Sequence, residues 1–326
     1  MPPHEGRFPD GAGIGARPDQ KRSPAHLNDA ESSDQPMFAP EIVLTAVLNG
    51  LLTGSVYALV ALGLTLVYGV LHIINFAHGA LLTAAMFAVL VAHLGLGLDP
   101  YVAILILTPL FFALGYLLQR FVIGPAGHGS DTNLLLVTLG LSIVIENALL
   151  AVFRSDTRSI DVPYAFASID IGFTLLSVPR IVAFVVALVV ALALGAILTL
   201  TDIGKGIRAV AKEKLGAALV GIDVNHVYAV TFGLGTACLA VAACLLMPTF
   251  YVTPRIGNAF VLVAFTIVVL GGMGSILGAL LGGLIIGVVE SLCGLYFGES
   301  LGQMGIFLIF ILVLLVRPTG LFGARA

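Results

Sequence analysis

The 326 residues carry 15 Lys+Arg against 18 Asp+Glu, so only 10% of the chain is charged while 59% is hydrophobic. A soluble domain averages about a quarter charged residues. Too few charges remain to cover a water-facing surface, which excludes a cytosolic enzyme, a nucleic-acid binder with a basic face and a disordered protein.

Residues 1–40 hold ten of the 33 charged residues and seven of the 15 prolines. Such a segment cannot bury enough apolar surface to offset its ordering entropy, so it reads as a disordered N-terminal tail. Residues 41–326 read as the membrane domain. Met37 just precedes the first apolar run and is the expected natural start. No signal-peptide pattern is visible ahead of it.

A bilayer core about 30 Å thick needs roughly 20 apolar residues per helix. From Ile42 to Leu98 there is no Asp, Glu, Lys or Arg, which is room for two crossings interrupted near Asn75 and His78. Further apolar runs lie near 100–119, 133–153, 179–200, 226–248, 258–272, 276–297 and 300–316. The predicted fold is all-α, a polytopic membrane protein of about eight or nine transmembrane helices. Basic residues in short loops set orientation. Lys205, Arg208, Lys212 and Lys214 form the densest basic cluster, which places residues 201–225 in the cytoplasm and, counting back, the N-terminus outside.

Four stretches stand out. Residues 202–224 predict one soluble-looking helix. Lys205, Arg208 and Lys212 share one face, Leu215, Ala218, Leu219 and Ile222 form an apolar stripe, and Gly221 lies near its end. Two readings stay open for it: an interfacial helix on anionic lipid and a docking helix for a partner. Asn75 and His78, three apart in Asn-Phe-Ala-His-Gly, mark either a broken helix lining a solute path or a polar pair at a helix bend. Glu146 and Glu290 are acidic residues inside apolar runs. Each either faces a cavity or makes a packing contact. The glycines at 271, 272, 274, 278, 282, 283 and 287 suit close helix packing, with small residues four apart at Gly278/Gly282 and Gly283/Gly287.

There is no Walker A loop, no His-Glu-x-x-His and no catalytic constellation in the sequence. The chain is read as a non-enzyme without cofactor or metal. Cys238, Cys244 and Cys293 lack metal-ligand or disulfide spacing and read as small buried hydrophobes.

Taken together, several motifs resemble the permeases of branched-chain amino acid ABC importers. They are Gly50-Leu51-Leu52-Thr53-Gly54-Ser55-Val56-Tyr57-Ala58-Leu59, Asn75-Phe76-Ala77-His78-Gly79, Gly206-Ile207-Arg208-Ala209-Val210-Ala211 with Gly221-Ile222, Val268-Val269-Leu270-Gly271-Gly272-Met273-Gly274-Ser275 and Arg317-Pro318-Thr319-Gly320. The match is to the permease subunit that bears the Asn-Phe-Ala-His-Gly motif, and it covers about 42–323.

The resemblance implies an inner-membrane subunit of an ATP-driven importer for branched-chain or related amino acids. It would work by alternating access and leave ATP hydrolysis to separate subunits. Implied partners are a second permease subunit, two ATPase subunits and a periplasmic solute-binding protein, besides membrane lipid. Asn75, His78 and Glu146 are then expected on the substrate pathway. Lys205, Arg208, Lys212, Leu215, Leu219 and Gly221 are expected in ATPase coupling. Ala80, Glu146, Cys244 and Val263 depart from the family pattern. Their counterparts are commonly acidic, Gln, Gly and Lys respectively, which leaves the solute open. A urea or short-amide permease is the rival within the family. A stand-alone channel or secondary transporter is the rival outside it.

Overall fold

The computed structural model describes residues 40–126, 131–317 and 320–322. The expected tail, residues 1–39, and the possible start at Met37 lie outside these. Among the described residues, nine apolar helices stand where nine apolar runs were read. Seven are long and apolar enough to cross a membrane, while Gly257–Gly271 and Leu301–Val316 are shorter.

Helix α1 (Pro40–Leu71) runs for 32 residues, about 48 Å at 1.5 Å per residue. It therefore exceeds a hydrocarbon core of about 30 Å and must tilt or project. The chain reverses at His72, a non-glycine with φ of 55°. Helix α2 (Ala77–Leu96) does not begin at that end of the bundle. Its first turn is held beside Val60, about three turns back along α1, so residues 72–76 climb back into the interior.

Helix α2 ends at Gly97, whose φ is 64°. Gly97 N–H donates to His93 and Leu98 N–H to Ala92, at 3.0 and 3.3 Å. This Schellman pairing satisfies two of the orphan carbonyls that every helix end leaves. Asp99 then does two tasks. One oxygen caps α3 (Pro100–Leu118) by accepting from Tyr101 N–H at 2.8 Å. The other accepts from Tyr164 O–H at 2.8 Å, tying down the loop that follows the fifth helix. Burial and this carboxylate push the Tyr164 phenol well above its ordinary range.

A π-turn at Gln119–Ile123 and a short α4 (Gly124–Ala126) follow. Helix α5 (Asp131–Phe153) leads to a small hairpin, β1 (Ser168–Asp170) antiparallel to β2 (Leu175–Ser177). Hydropathy alone could not have found so short an exposed hairpin. An isolated bridge between Arg158 and Val252 joins this loop to a later one, which follows Leu246.

The remaining elements are α6 (Val178–Leu200), α7 (Asp202–Lys212), α8 (Lys214–Leu219), α9 (Val224–Leu246), α10 (Gly257–Gly271), α11 (Ile276–Phe297) and α12 (Glu299–Val316). Helix α9 is the centre of the bundle, with 94% of its apolar window buried, whereas only 11% of that of α5 is buried. Both helices are apolar all round. One is covered by protein, and the other presents Leu136, Ile143 and Val144 as a lipid-facing side would.

Glycine contacts hold the bundle closed. Gly283 lies against Ala58, and Gly287 against Gly50 and Gly54, bringing the backbones of α1 and α11 together. This is the close packing read from Gly283 and Gly287. Gly278 instead meets Gly271 across the α10–α11 turn. That turn needs glycine for its backbone as well, since φ is 93° at Gly272 and 88° at Gly274. Ser275 closes it by capping α11 through Gly278 N–H at 3.0 Å. Cys238 and Cys244 are buried in α9, as expected of small hydrophobes, and Cys293 is half-buried in α11.

Candidate coupling surface and solute pathway

Asn75 and His78 lie deep in the bundle, each only 1% exposed. Asn75 Oδ1 accepts from Ala77 N–H at 3.0 Å, and its carbonyl accepts from His78 N–H at 3.3 Å. Together they cap the start of α2. His78 Nε2 is 3.0 Å from the Val60 carbonyl oxygen, and a carbonyl can only accept, so Nε2 carries a proton and donates. A residue at 60 offers that carbonyl although α1 continues past it, so His78 straps two helices together at mid-bundle. Asn75 Nδ2 is buried with no partner among the described residues. An amide donor left without a partner in such a place costs about 1–3 kcal/mol.

A second helix starts at the same depth. Thr83 Oγ1 accepts from Gly257 N–H at 3.0 Å and donates to the Gly79 carbonyl at 3.1 Å. The first turns of α2 and α10 therefore meet through one hydroxyl, and Gly79 and Gly257 touch backbone to backbone. Thr83 and the Val60 carbonyl were not singled out in the sequence. A threonine in an apolar run gives no such signal, and a main-chain carbonyl gives none at all.

Glu146 stands apart. It is half-buried on α5, and Ser142 Oγ donates to its Oε1 at 3.5 Å. Helix α5 packs on α2 and on the π-turn segment, and no hydrogen bond joins Glu146 to Asn75 or His78. Glu290 instead accepts from Tyr57 O–H at 3.3 Å, a contact between α11 and α1.

The single helix expected over 202–224 is two helices. Glu213 adopts φ −155°, ψ 101°, which interrupts the helical ladder. Its carboxylate then caps α8 by accepting from Leu215 N–H at 3.2 Å. Thr201 caps α7 in the same way through Gly204 N–H at 3.0 Å. The buried face consists of Gly204, Ile207 and Val210 in α7 and Ala217 in α8. Ile207, Val210 and Ala217 pack on Val70 of α1 and on Val227 and Val230 of α9, and Gly204 lies against Ile197 and Leu198 of α6. Of the expected stripe of Leu215, Ala218, Leu219 and Ile222, Leu215 is 73% and Leu219 89% exposed, Ala218 is exposed too, and Ile222 packs partly against the bundle. The break at Glu213 makes the basic face of α7 and the apolar stripe of α8 belong to separate helices.

The basic residues also divide. Lys205 pairs with Asp202 at 2.9 Å, and that hydrogen bond and charge hold the Asp202 carboxyl below its ordinary value. Arg208 Nη1 donates to the Leu198 carbonyl in the last turn of α6, where a cation complements the helix end. Lys214 lies over the Tyr228 ring, and Lys212 is exposed at the end of α7. Gly221 has φ of 88°, as its place at a helix end predicted. It terminates α8, with Ile222 N–H donating back to Ala217 at 3.1 Å.

The outcome is a two-helix foot. It is fixed to α1, α6 and α9 on one side and presents Leu215, Leu219 and Val220 on the other. A family model described as branched-chain amino acid transport system, permease component, matches residues 46–316. The high-affinity branched-chain amino acid transport permease protein BraD of Pseudomonas aeruginosa is 36% identical over 304 residues, covering 87% of this chain and 97% of its own. LivH of Escherichia coli K12, a permease protein of the same kind of system, is 33% identical over 299 residues, covering 86% and 95%. A probable counterpart in Methanocaldococcus jannaschii is 28% identical, covering 85% and 92%. With a family match across most of its length and relatives aligned almost end to end, the chain belongs to the permease components of branched-chain amino acid transport systems.

Proposed function

We propose that the chain is the membrane permease subunit of an ATP-driven importer for branched-chain or related amino acids. It works beside a second permease, two ATPase subunits and a solute-binding protein. The observation that carries the coupling role is the foot. Its α8 exposes Leu215, Leu219 and Val220 next to Lys212 and Lys214, while its other side is locked into the bundle. An apolar tip on a rigid base fits a groove in an ATPase subunit. Lipid contact alone would not call for a base so firmly fixed to three helices.

Movement of α8 is carried inward by named contacts. Ile207, Val210 and Ala217 push on Val70, Val227 and Val230, and Arg208 holds the end of α6. Helices α1, α6 and α9 therefore move with the foot when ATP draws the two ATPase subunits together. Asn75 and His78 lie where α2 and α10 begin, at the level where such a motion opens or closes a route. The unpartnered Asn75 Nδ2 is the donor available to solute on that route, and His78 keeps the two helices in register. Glu146 is the remaining pathway candidate, from the side of α5.

Orientation follows from the foot. Its Lys205, Arg208, Lys212 and Lys214, with Arg120 at the same end of the bundle, face the cytoplasm. The N-terminal ends of α1 and α6 then face outward. A photoreactive residue at Leu219 tests the coupling role. It is expected to cross-link to an ATPase subunit in the assembled complex. Labelling of lipid alone would refute docking.

A further inference from the structure

A cavity of about 510 Å³ opens between α1, α6, α11 and α12, at the end of the bundle away from the foot. Tyr57, which lines it, lies about 20 Å along α1 from Val70, where the foot packs. The cavity is lined by one cation, Arg180 at the start of α6, and one carboxylate, Glu290 near the end of α11. They do not pair with each other: Arg180 is in neither of the ion pairs among the described residues. It makes no hydrogen bond among them either, and Glu290 receives only the Tyr57 hydroxyl. Two opposite charges facing one space without closing on each other leave both available to a ligand. The rest of the wall is mixed: Ile42, Ala46, Phe250 and Leu295 form its apolar part, and Thr45, Asn49, Thr53 and Ser291 its polar part. Gly287, Gly294 and Gly302 also line it, and a side chain at Gly302 would run against Glu290. A volume of this size is that of a small-molecule pocket.

We infer that this cavity is a binding site for a zwitterionic α-amino acid, with Arg180 taking its carboxylate, Glu290 its ammonium and the apolar part of the wall its branched side chain. Tyr57 holds the Glu290 carboxylate in place from α1 and so acts as a positioning residue. The choice of an α-amino acid among zwitterions rests on the permease reading above. Placed at the outer end, the site would receive solute released by the binding protein before it passes to the level of Asn75. Arginine suits a carboxylate because its planar donors match two oxygens at once.

The test uses the complete complex in vesicles and measures ATP-driven leucine uptake. Competitors are unlabelled leucine, 4-methylpentanoate (no ammonium) and 3-methylbutylamine (no carboxylate). Arg180→Gln and Glu290→Gln are each expected to raise the KM for leucine about tenfold or more, the scale of a lost charge-assisted contact. Glu290→Gln is also expected to erase the preference for leucine over 4-methylpentanoate, and Arg180→Gln that over 3-methylbutylamine. Arg180→Lys and Glu290→Asp, which keep the charges, should retain both preferences. Unchanged KM in both Gln variants would overturn the site, as would loss of affinity for all three compounds in equal proportion. If the wild-type complex moves no amino acid at all, the permease reading itself fails. Normal wild-type uptake with indifferent variants removes only this cavity.

Discussion

At the scale of single residues, His78 is satisfied and an Asn75 donor is left without a partner among the described residues, a difference that their spacing could not give. His78 is fully engaged, with its Nε2 proton on the Val60 carbonyl. Removing it deletes a buried hydrogen bond worth about 0.5–1.5 kcal/mol, although the Val60 carbonyl keeps its place in the ladder of α1. His78→Ala is therefore expected to lower the thermal midpoint of the purified permease and to lower uptake only in proportion to lost protein. Asn75→Ala removes the free Nδ2 donor as well as the cap on Ala77. It is expected to impair uptake per assembled complex, measured on vesicles matched for permease content. Equal loss of assembly in both variants would reduce Asn75 to a packing residue. Gly221 is a backbone matter: a Cβ there would meet nothing within 4 Å, but φ is 88°. Gly221→Val should misdirect the entry into α9 and cut transport-stimulated ATPase activity, while Gly221→Asn, which tolerates this region better, should retain most of it. Both the pair at 75 and 78 and the turn at 221 were legible in the sequence, because Asn, His and Gly are conspicuous in an apolar run. Which of them was satisfied was not legible, since that depends on a main-chain carbonyl of another helix.

At the scale of elements, α7 and α8 differ most from their sequence reading, since two helices stand where one was expected. Arg208 belongs to the joint with α6, and the exposed tip belongs to Leu215 and Leu219. Leu219→Asp is expected to abolish most stimulation of the ATPase by loaded binding protein while leaving membrane insertion intact. Arg208→Glu should act at the α6–α7 joint by placing a carboxylate against the Leu198 carbonyl. It should weaken coupling less than Leu219→Asp does. A larger defect from Arg208→Glu would return the docking role to the basic face. Ion pairs such as Lys205–Asp202 are exposed and worth little, so Lys205→Ala should be near neutral. A close helix contact at Gly283 and Gly287 was readable from spacing, because only small residues permit such approach, but α1 as the partner was not. The break at Glu213 was not, because an acidic residue in a charged stretch looks equally at home inside a helix. Nor was the hydroxyl of Thr83 in α2 that meets the first residue of α10, Gly257.

At the scale of the whole molecule, composition and run length gave the all-α membrane architecture and the positions of nine apolar helices. Two of those are shorter than the others, as the runs 258–272 and 300–316 already were, while the contact with α2 at the start of α10 leaves no trace in run length. Orientation can be checked by single cysteines. One at Lys212 should react with an impermeant reagent only from the cytoplasmic face, and one at Ser159, beside the Arg158–Val252 bridge, only from outside. Reversed labelling would invert the bundle and put the foot out of reach of any ATPase. The most direct measurement is accumulation of leucine in sealed vesicles that contain the permease pair, the ATPase subunits and the binding protein, with ATP supplied on the ATPase side and no ion gradient. The expected result is uptake against the leucine gradient that needs ATP and disappears when this chain is omitted or carries Leu219→Asp. Uptake that proceeds without ATP, or that only an ion gradient drives, would contradict the importer and make the chain a channel or secondary transporter.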